Sequence, residues 1–278
     1  MAAGELDRTR TDTTSPAVSL IDVTVRFGNV TAVEGLSFDV RTGERVAVLG
    51  RTGAGKSTVL NLVVGNLAPA AGTVRVVDLD PVRDADAMQG RLSMAFQSPQ
   101  LLPWRTALDN VALGLEVLGV DRRERLARAT HWLERVHLQD AVDRFPAQLS
   151  GGMAQRVSLA RAFAIDPDLV LLDESFSALD EVTSAALRSD FVELAEQASQ
   201  SALIVTHNIQ EAFEVAHRVL VMARPARCVG EFVTAEYDLT DPMAMSQVRD
   251  AVRELMEQDI PSHQQTPDHT ANPAASSY

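Results

Sequence analysis

Two hydrophobic periods alternate along this chain. Val18–Phe27 and Leu36–Val40 carry apolar residues at every second position, the pattern of antiparallel strands with one buried face. Arg45–Leu49 is a short apolar strand that runs into a glycine-rich turn. Leu169–Leu172 is apolar throughout, as a strand is when helices cover both faces of a parallel sheet. Thr73–Val77, Leu92–Phe96, Ala202–Thr206, Arg218–Met222 and Cys228–Val233 read as further strands. Apolar residues three and four apart predict helices over Ala107–Leu118 and Arg122–His137. Ser184–Gln197 gathers Leu187, Phe191, Leu194 and Ala195 on one helical face. Lys56–Asn66, Gly151–Ile165 with Ser150 as N-cap, Ile209–Ala216 and Asp250–Gln258 complete the helices. The order predicts an α/β fold with an antiparallel sheet at its start and a helical insertion near residues 98–150.

The flanks differ from this core. Residues 1–16 and about 259–278 are rich in Thr, Ser, Pro, Ala, Gln and His and read as disordered tails around one domain over 17–258. His263 and His269 lack metal-ligand spacing. The N-terminal stretch has no apolar core of a signal peptide, and no apolar run reaches the roughly 18 residues that span a bilayer. One cysteine, Cys228, excludes an internal disulfide framework and suits a reducing cytoplasm. With 46% hydrophobic residues the 278-residue chain can fill a large core. Its net charge of −13 argues against nucleic-acid binding and against purely electrostatic attachment to anionic lipid.

The chemistry begins at Gly50-Arg-Thr-Gly-Ala-Gly-Lys-Ser-Thr58, which fits the phosphate-binding P-loop pattern. Lys56 is the only lysine among 25 basic residues. Arginine is a planar fork and lysine a compact point charge, so an otherwise arginine-only chain keeps its one ammonium where a nucleotide phosphate needs it. Gly50, Gly53 and Gly55 let the backbone turn tightly, so that N–H groups from Gly53 to Thr58 can face phosphate oxygens. Lys56 would reach the β- and γ-phosphates, and the Ser57 hydroxyl would hold Mg²⁺. Arg51, Thr52 and Ala54 complete the loop. The strand Leu169–Leu172 ends in Asp173 and Glu174, two acids at a sheet edge. Asp173 suits Mg²⁺, and Glu174 can polarise an attacking water.

Leu149-Ser-Gly-Gly-Met-Ala-Gln-Arg156 opens a helix just before that strand. This resembles the signature sequence of ABC-type ATPases, and the resemblance runs from about residue 18 to about 235. It implies a P-loop NTPase core with a RecA-like parallel sheet, an N-terminal antiparallel β subdomain and an inserted α-helical subdomain. By the same resemblance Phe27 is the aromatic that stacks on adenine, Gln97 the glutamine that senses Mg²⁺ and the γ-phosphate, Asp180 the D-loop acid and His207 the switch histidine. Each alone has an ordinary structural reading; their order and their positions at strand ends carry the resemblance. It further implies two cassettes packed head to tail, with ATP held between the Lys56 loop of one and Ser150, Gly151 and Gly152 of the other.

The segment Phe96–Val111 and the later Arg224-Pro-Ala-Arg227 resemble the importer ATPases for nitrate, sulfonate and taurine. That implies a separate integral-membrane permease, an extracytoplasmic substrate-binding protein, and a peripheral position on the cytoplasmic face of the membrane. Leu101, Leu102, Pro103 and Trp104 would form an apolar knob for the permease; the alternative is that Trp104 packs into the helical subdomain. Two residues depart from the family pattern: Ser175 stands where many importer subunits have proline, and Met153 where glutamine is common. A non-transport ABC ATPase of translation or DNA repair is the competing reading. Only 94 positions separate Lys56 from Ser150, which leaves no room for the long coiled coil of the repair proteins. A P-loop kinase is disfavoured by the Ser-Gly-Gly motif.

Overall fold

The computed structural model describes residues 15–177 and 179–257. The predicted tails fall almost wholly outside this range, as do His263, His269 and the predicted helix end at Gln258. Among the described residues the strands form two sheets. β1 (Val18–Phe27), β2 (Val30–Val40) and β4 (Ala71–Val76) make an antiparallel sheet in the order β2-β1-β4. The second sheet includes β3 (Arg45–Gly50), β5 (Leu92–Ala95), β6 (Leu169–Asp173), β7 (Ser201–Thr206), β8 (Arg218–Ala223) and β9 (Arg227–Val233). Its order is β5-β6-β7-β3-β8-β9, parallel except for β9, which returns antiparallel on β8.

The central strands divide their side chains between two apolar layers, as a period of two demands. Val46, Val48, Leu169, Leu171, Leu203 and Val205 face the antiparallel sheet and α1 (Lys56–Val64). Ala47, Leu49, Val170, Leu172, Ala202 and Ile204 face a helical layer. That layer includes α4 (Gly151–Ala164), α5 (Glu181–Gln197) and α6 (Ile209–Val215). With both faces covered, β3, β7 and β8 are buried along their whole length.

The insertion supplies α2 (Ala107–Val117) and α3 (Arg122–Arg135). It does not stop packing at residue 150. Trp132 of α3 stacks on Phe163 of α4, with centroids 5.3 Å apart, and Phe163 meets Phe191 of α5 at 6.1 Å. The helical subdomain therefore joins the sheet through α4, the helix that carries the Ser-Gly-Gly motif at its N-terminus. Ser150 caps that helix as predicted, its hydroxyl accepting from the Met153 N–H at 3.3 Å.

Three elements begin three or more residues before their sequence limits. β2 begins at Val30, six residues early, because Val30, Thr31 and Val33 pair with Phe27, Arg26 and Val25 across a hairpin. Register shifts in the β1–β2 pairing go with a break in the alternation over residues 30–35 of β2. α5 starts at Glu181, since Asp180 is its N-cap and accepts from the Thr183 N–H at 3.0 Å. α7 (Pro242–Glu257) is two turns longer than its predicted core, with Met245, Val248 and Val252 buried at spacings of three and four.

Gly65 terminates α1 in the left-handed region, φ 86°, with its N–H returning to the Leu62 carbonyl. A Cβ there would sit 2.2 Å from the Pro81 carbonyl oxygen. Gly65→Ala is therefore expected to destabilise the chain by roughly 2–4 kcal/mol, strain and clash acting together, as a lower urea midpoint at unchanged slope.

Candidate functional site

Ligands of open parallel sheets bind at the carboxyl edge, where buried strands give way to loops. Here that edge holds a cavity of about 290 Å³, walled by the loop after β3, by Asp173 and Glu174 after β6, by Val205, by Val30, Thr31 and Ala32, and by Arg224. Register explains the convergence. Asp173 pairs with Val205, and Val205 pairs with Val48, so the ends of β6, β7 and β3 lie in one row.

The loop after β3 follows its sequence closely. Thr52, Gly53, Gly55, Lys56, Ser57 and Thr58 line the cavity. Gly50, Arg51 and Ala54 form its frame, the Ala54 N–H donating to the Arg51 carbonyl at 3.0 Å. Gly55 has φ 84°, and a Cβ there would stand 2.5 Å from Cβ of Ala226. The backbone must approach the 224–226 turn this closely, so position 55 tolerates no side chain. That turn is sewn to β2 by the Ala226 N–H to Ala32 carbonyl bond of 2.8 Å and the Glu34 N–H to Ala226 carbonyl bond of 3.1 Å.

Lys56 is buried. Its Nζ donates to the Gly50 carbonyl at 2.7 Å and to the Arg51 carbonyl at 3.2 Å, and lies 3.7 Å from Glu174 Oε1. Burial pulls its pKa down, while the charges of Glu174 and Asp173 pull it up. Asp173 is raised in turn by burial and by the Glu174 charge, with Lys56 opposing. Two carboxylates thus share one ammonium. Glu174 Oε1 is also 3.2 Å from His207 Nδ1. Its backbone sits at φ 47°, rare for a side-chain-bearing residue, and its N–H is tied to the Val205 carbonyl at 2.9 Å. Strained backbone of this kind clusters at functional sites.

Not every sequence candidate joins the cavity. Gln97 is exposed just beyond β5, and Phe27 is 54% exposed at the end of β1. Neither lines the cavity, although Val30 and Thr31 beside Phe27 do. Ser150, Gly151, Gly152 and Asp180 form a second group at the N-termini of α4 and α5. A Cβ on Gly151 would meet Leu179 at 3.3 Å and one on Gly152 would meet Thr183 at 2.5 Å, so these two helix starts are packed together. The structure therefore sets the Ser150, Gly151, Gly152 and Asp180 group apart from the P-loop cavity, with Phe27 and Gln97 outside the lining of that cavity.

Residues 33–177 match the family described as ABC transporter, more than half of the chain. The chain belongs to the ABC transporter family. It is 42% identical over 209 residues to the taurine import ATP-binding protein TauB of Rhizobium johnstonii, covering 74% of this chain and 78% of that one. It is 39% identical over 216 residues to the nitrate import ATP-binding protein NrtD of Synechococcus elongatus, covering 76% and 77%. Among solved structures, the dimeric post-hydrolysis state of the ATP-binding cassette MJ0796, bound to ADP and Pi, matches with TM-score 0.68 and 30% identity over 78% of this chain and 98% of that one. The cassette cbiO1 of Clostridium perfringens shares the fold, with TM-score 0.75 at 22% identity over 87% and 96%.

Two residues of the site region escaped the sequence. Arg224, quoted there only as part of a subfamily resemblance, lines the cavity because the β8–β9 turn is stitched to β2. Glu211, on α6 four residues after His207, is buried, with one carboxylate oxygen lacking a hydrogen-bond partner. Burial lifts its pKa to about 7; the Thr206 hydroxyl, Arg188 and His207 oppose the rise and Glu174 adds to it. An acidic residue inside an i to i+4 frame gives no sequence signal of burial.

Between the ordinary carboxylate range and about 7 the folded chain keeps a proton that the unfolded chain has released, so this group removes stability as pH rises through that window. Glu211→Gln is expected to be more stable than wild type at pH 8, on the order of 1–3 kcal/mol. The gain should vanish near pH 4, as urea titrations at the two pH values will read.

Proposed function

We propose that this chain is the ATP-binding and ATP-hydrolysing subunit of an importer for a small organic or inorganic anion of the taurine, sulfonate or nitrate kind. The observation that carries the chemistry is the contact set of Glu174, whose Oε1 lies 3.7 Å from Lys56 Nζ and 3.2 Å from His207 Nδ1 at the edge of the P-loop cavity. The N–H groups of Gly53 to Thr58 and the positive end of α1 cradle the phosphates, and Lys56 supplies the point charge. Phe27, exposed beside the cavity rim, is free to stack on adenine. Glu174 takes the proton of the attacking water, and His207 holds that carboxylate in place.

The donor set also fits Mg²⁺. Ser57 presents an exposed hydroxyl and Asp173 a carboxylate in one cavity, two oxygen donors of the kind Mg²⁺ takes. Among the described residues no group of three His, Cys, Asp or Glu could hold a metal alone. Such a sparse site suits an ion that takes most of its oxygens from nucleotide and water. Ser57, Asp173 and, from the rim, Gln97 would hold it. When bound, the ion neutralises charge on the phosphates.

Two separated clusters call for two copies. The N-terminus of α4, with Ser150, Gly151 and Gly152, is a second anion site, and Asp180 stands beside it on α5. In a head-to-tail pair, of identical or different cassettes, each such cluster closes on the partner's P-loop, so nucleotide becomes part of the interface.

The loop after β5 supports a permease contact at Trp104. Trp104 is 70% exposed, so it does not pack into the helical subdomain. Leu101 packs against the core, which reduces the expected knob to Pro103 and Trp104 with Leu102 behind them. Fully buried Asn110 fixes that loop, donating to the carbonyls of Leu102, Arg105 and Thr106 and accepting from the Leu102 N–H. A rigidly presented exposed tryptophan suits a hydrophobic partner. No helix among the described residues is long and apolar enough to cross a membrane. The chain then works as a peripheral subunit on the cytoplasmic face, coupled through its permease to an extracytoplasmic binding protein.

Glu174→Gln is expected to lower ATP turnover by roughly 10²–10⁴-fold while nucleotide affinity holds, leaving a dimer that persists in ATP on size exclusion. Turnover at the wild-type rate would remove Glu174 from this role. Trp104→Ala should keep the ATPase rate of the isolated chain and abolish substrate uptake in cells. Uptake at the wild-type level, or co-purification with ribosomes in place of a multi-span permease, would point to the non-transport reading.

A further inference from the structure

The residue after Glu174 is Ser175, one of the two departures from the family pattern, and it is buried. Its hydroxyl donates to the Ala95 carbonyl at 2.9 Å, a bond that proline cannot make. Its own carbonyl accepts from Gln155 Nε2 at 2.8 Å. The same Gln155 amide donates to the Phe96 carbonyl at 2.9 Å. Gln155 is buried and lies on α4, a little over one turn from the Ser-Gly-Gly start. One side-chain amide therefore spans the carbonyl immediately before Gln97 and the carbonyl immediately after Glu174, while its own backbone belongs to the helix that would close on the partner's nucleotide.

We propose that Gln155 is a positioning residue that locks the signature helix to the hydrolytic carboxylate and to the glutamine loop, with Ser175 closing the knot. The inference rests on the reading that Glu174 activates water. Its physical content is that both Nε2 hydrogens are committed to main-chain oxygens in a buried place. The helix cannot shift relative to Glu174 without breaking a buried hydrogen bond and leaving a carbonyl orphaned. The Glu174 backbone is already held in the left-handed region and tied to the Val205 carbonyl, so it has little freedom to compensate. A displacement of about 1 Å in a reacting group can cost about 10²-fold in rate. Nucleotide binding to a single chain, by contrast, is carried by its own P-loop, which the knot does not touch. The arrangement thus separates affinity from turnover.

Three variants of the full chain test this. Gln155→Glu keeps the shape but sets a carboxylate against two carbonyl oxygens. Gln155→Met keeps the length and removes the donors. Ser175→Ala deletes one hydroxyl from a site that should fold unaided. The expected result is kcat lowered about 10²-fold in Gln155→Glu, about tenfold in Gln155→Met and several-fold in Ser175→Ala. The dissociation constant for a fluorescent ATP analogue should stay within twofold of wild type throughout, and the nucleotide-free melting temperature of Ser175→Ala should fall by only a few degrees, the cost of one buried hydrogen bond. A kcat within twofold of wild type in all three overturns the proposal. So does a parallel loss of affinity, melting temperature and kcat in the Gln155 variants beside a wild-type Ser175→Ala, which would mark a merely structural residue. Failure of the wild-type chain itself to hydrolyse ATP would instead sink the underlying reading of the site.

Discussion

A buried ammonium governs this molecule. Taking Lys56 out of water is costly, and the cost is offset by the carbonyls of Gly50 and Arg51 and by the charges of Glu174 and Asp173. Each compensating group fixes a piece of backbone. The two carbonyls force the tight turn after β3. That turn brings Gly55 against Ala226, and Ala226 is tied to β2, so the antiparallel sheet is clamped to the parallel one at the site. The carboxylates require β6 to end level with β3, which the shared pairing with β7 delivers.

The parallel sheet is the second constraint. Its inner strands β3, β7 and β8 are covered on both faces, so charge enters them only at their ends. Asp173 is the last residue of β6, and Lys56, Glu174 and His207 occupy loops or a helix start just past a carboxyl end. The same burial that forms the core makes the site electrostatically sensitive: Asp173 rises, Lys56 falls, and Glu211 behind them is lifted to about 7. A low-dielectric wall strengthens every pairing within it, and an incoming anion with its metal would rebalance them together.

The helical layer has a different job. An aromatic stack, Trp132 on Phe163 and then Phe191, runs through it, and the inserted helices α2 and α3 join the sheet through α4. One end of α4 presents the Ser-Gly-Gly start, its middle holds Gln155 at the junction of the two acid-bearing and glutamine-bearing loops, and its Arg161 grips the carbonyls of Pro99 and Gln100 ahead of Trp104. A rigid element that touches all three regions suits a machine in which partner, nucleotide and permease must move in step.

Much of this was legible in the chain. Strand and helix periods, the glycine-rich loop, the paired acids after an apolar run and the Ser150 cap depend on residues near one another in sequence, so short windows specify them. What escaped was set by distant neighbours. The early start of β2 needed its partner strand, and α7 extended because Val248 and Val252 found the core beside the sheet to cover. Gln155, Ser175 and Asn110 are polar residues whose burial is visible only when the carbonyls they satisfy are brought to them. Arg224 became a cavity residue through a turn stitched to a strand nearly two hundred positions away. The sequence by itself determined which chemistry the chain carries, because motif geometry is local. Tertiary structure alone decided how those groups are held, split into two clusters and charged, because burial and hydrogen-bond satisfaction belong to the folded whole.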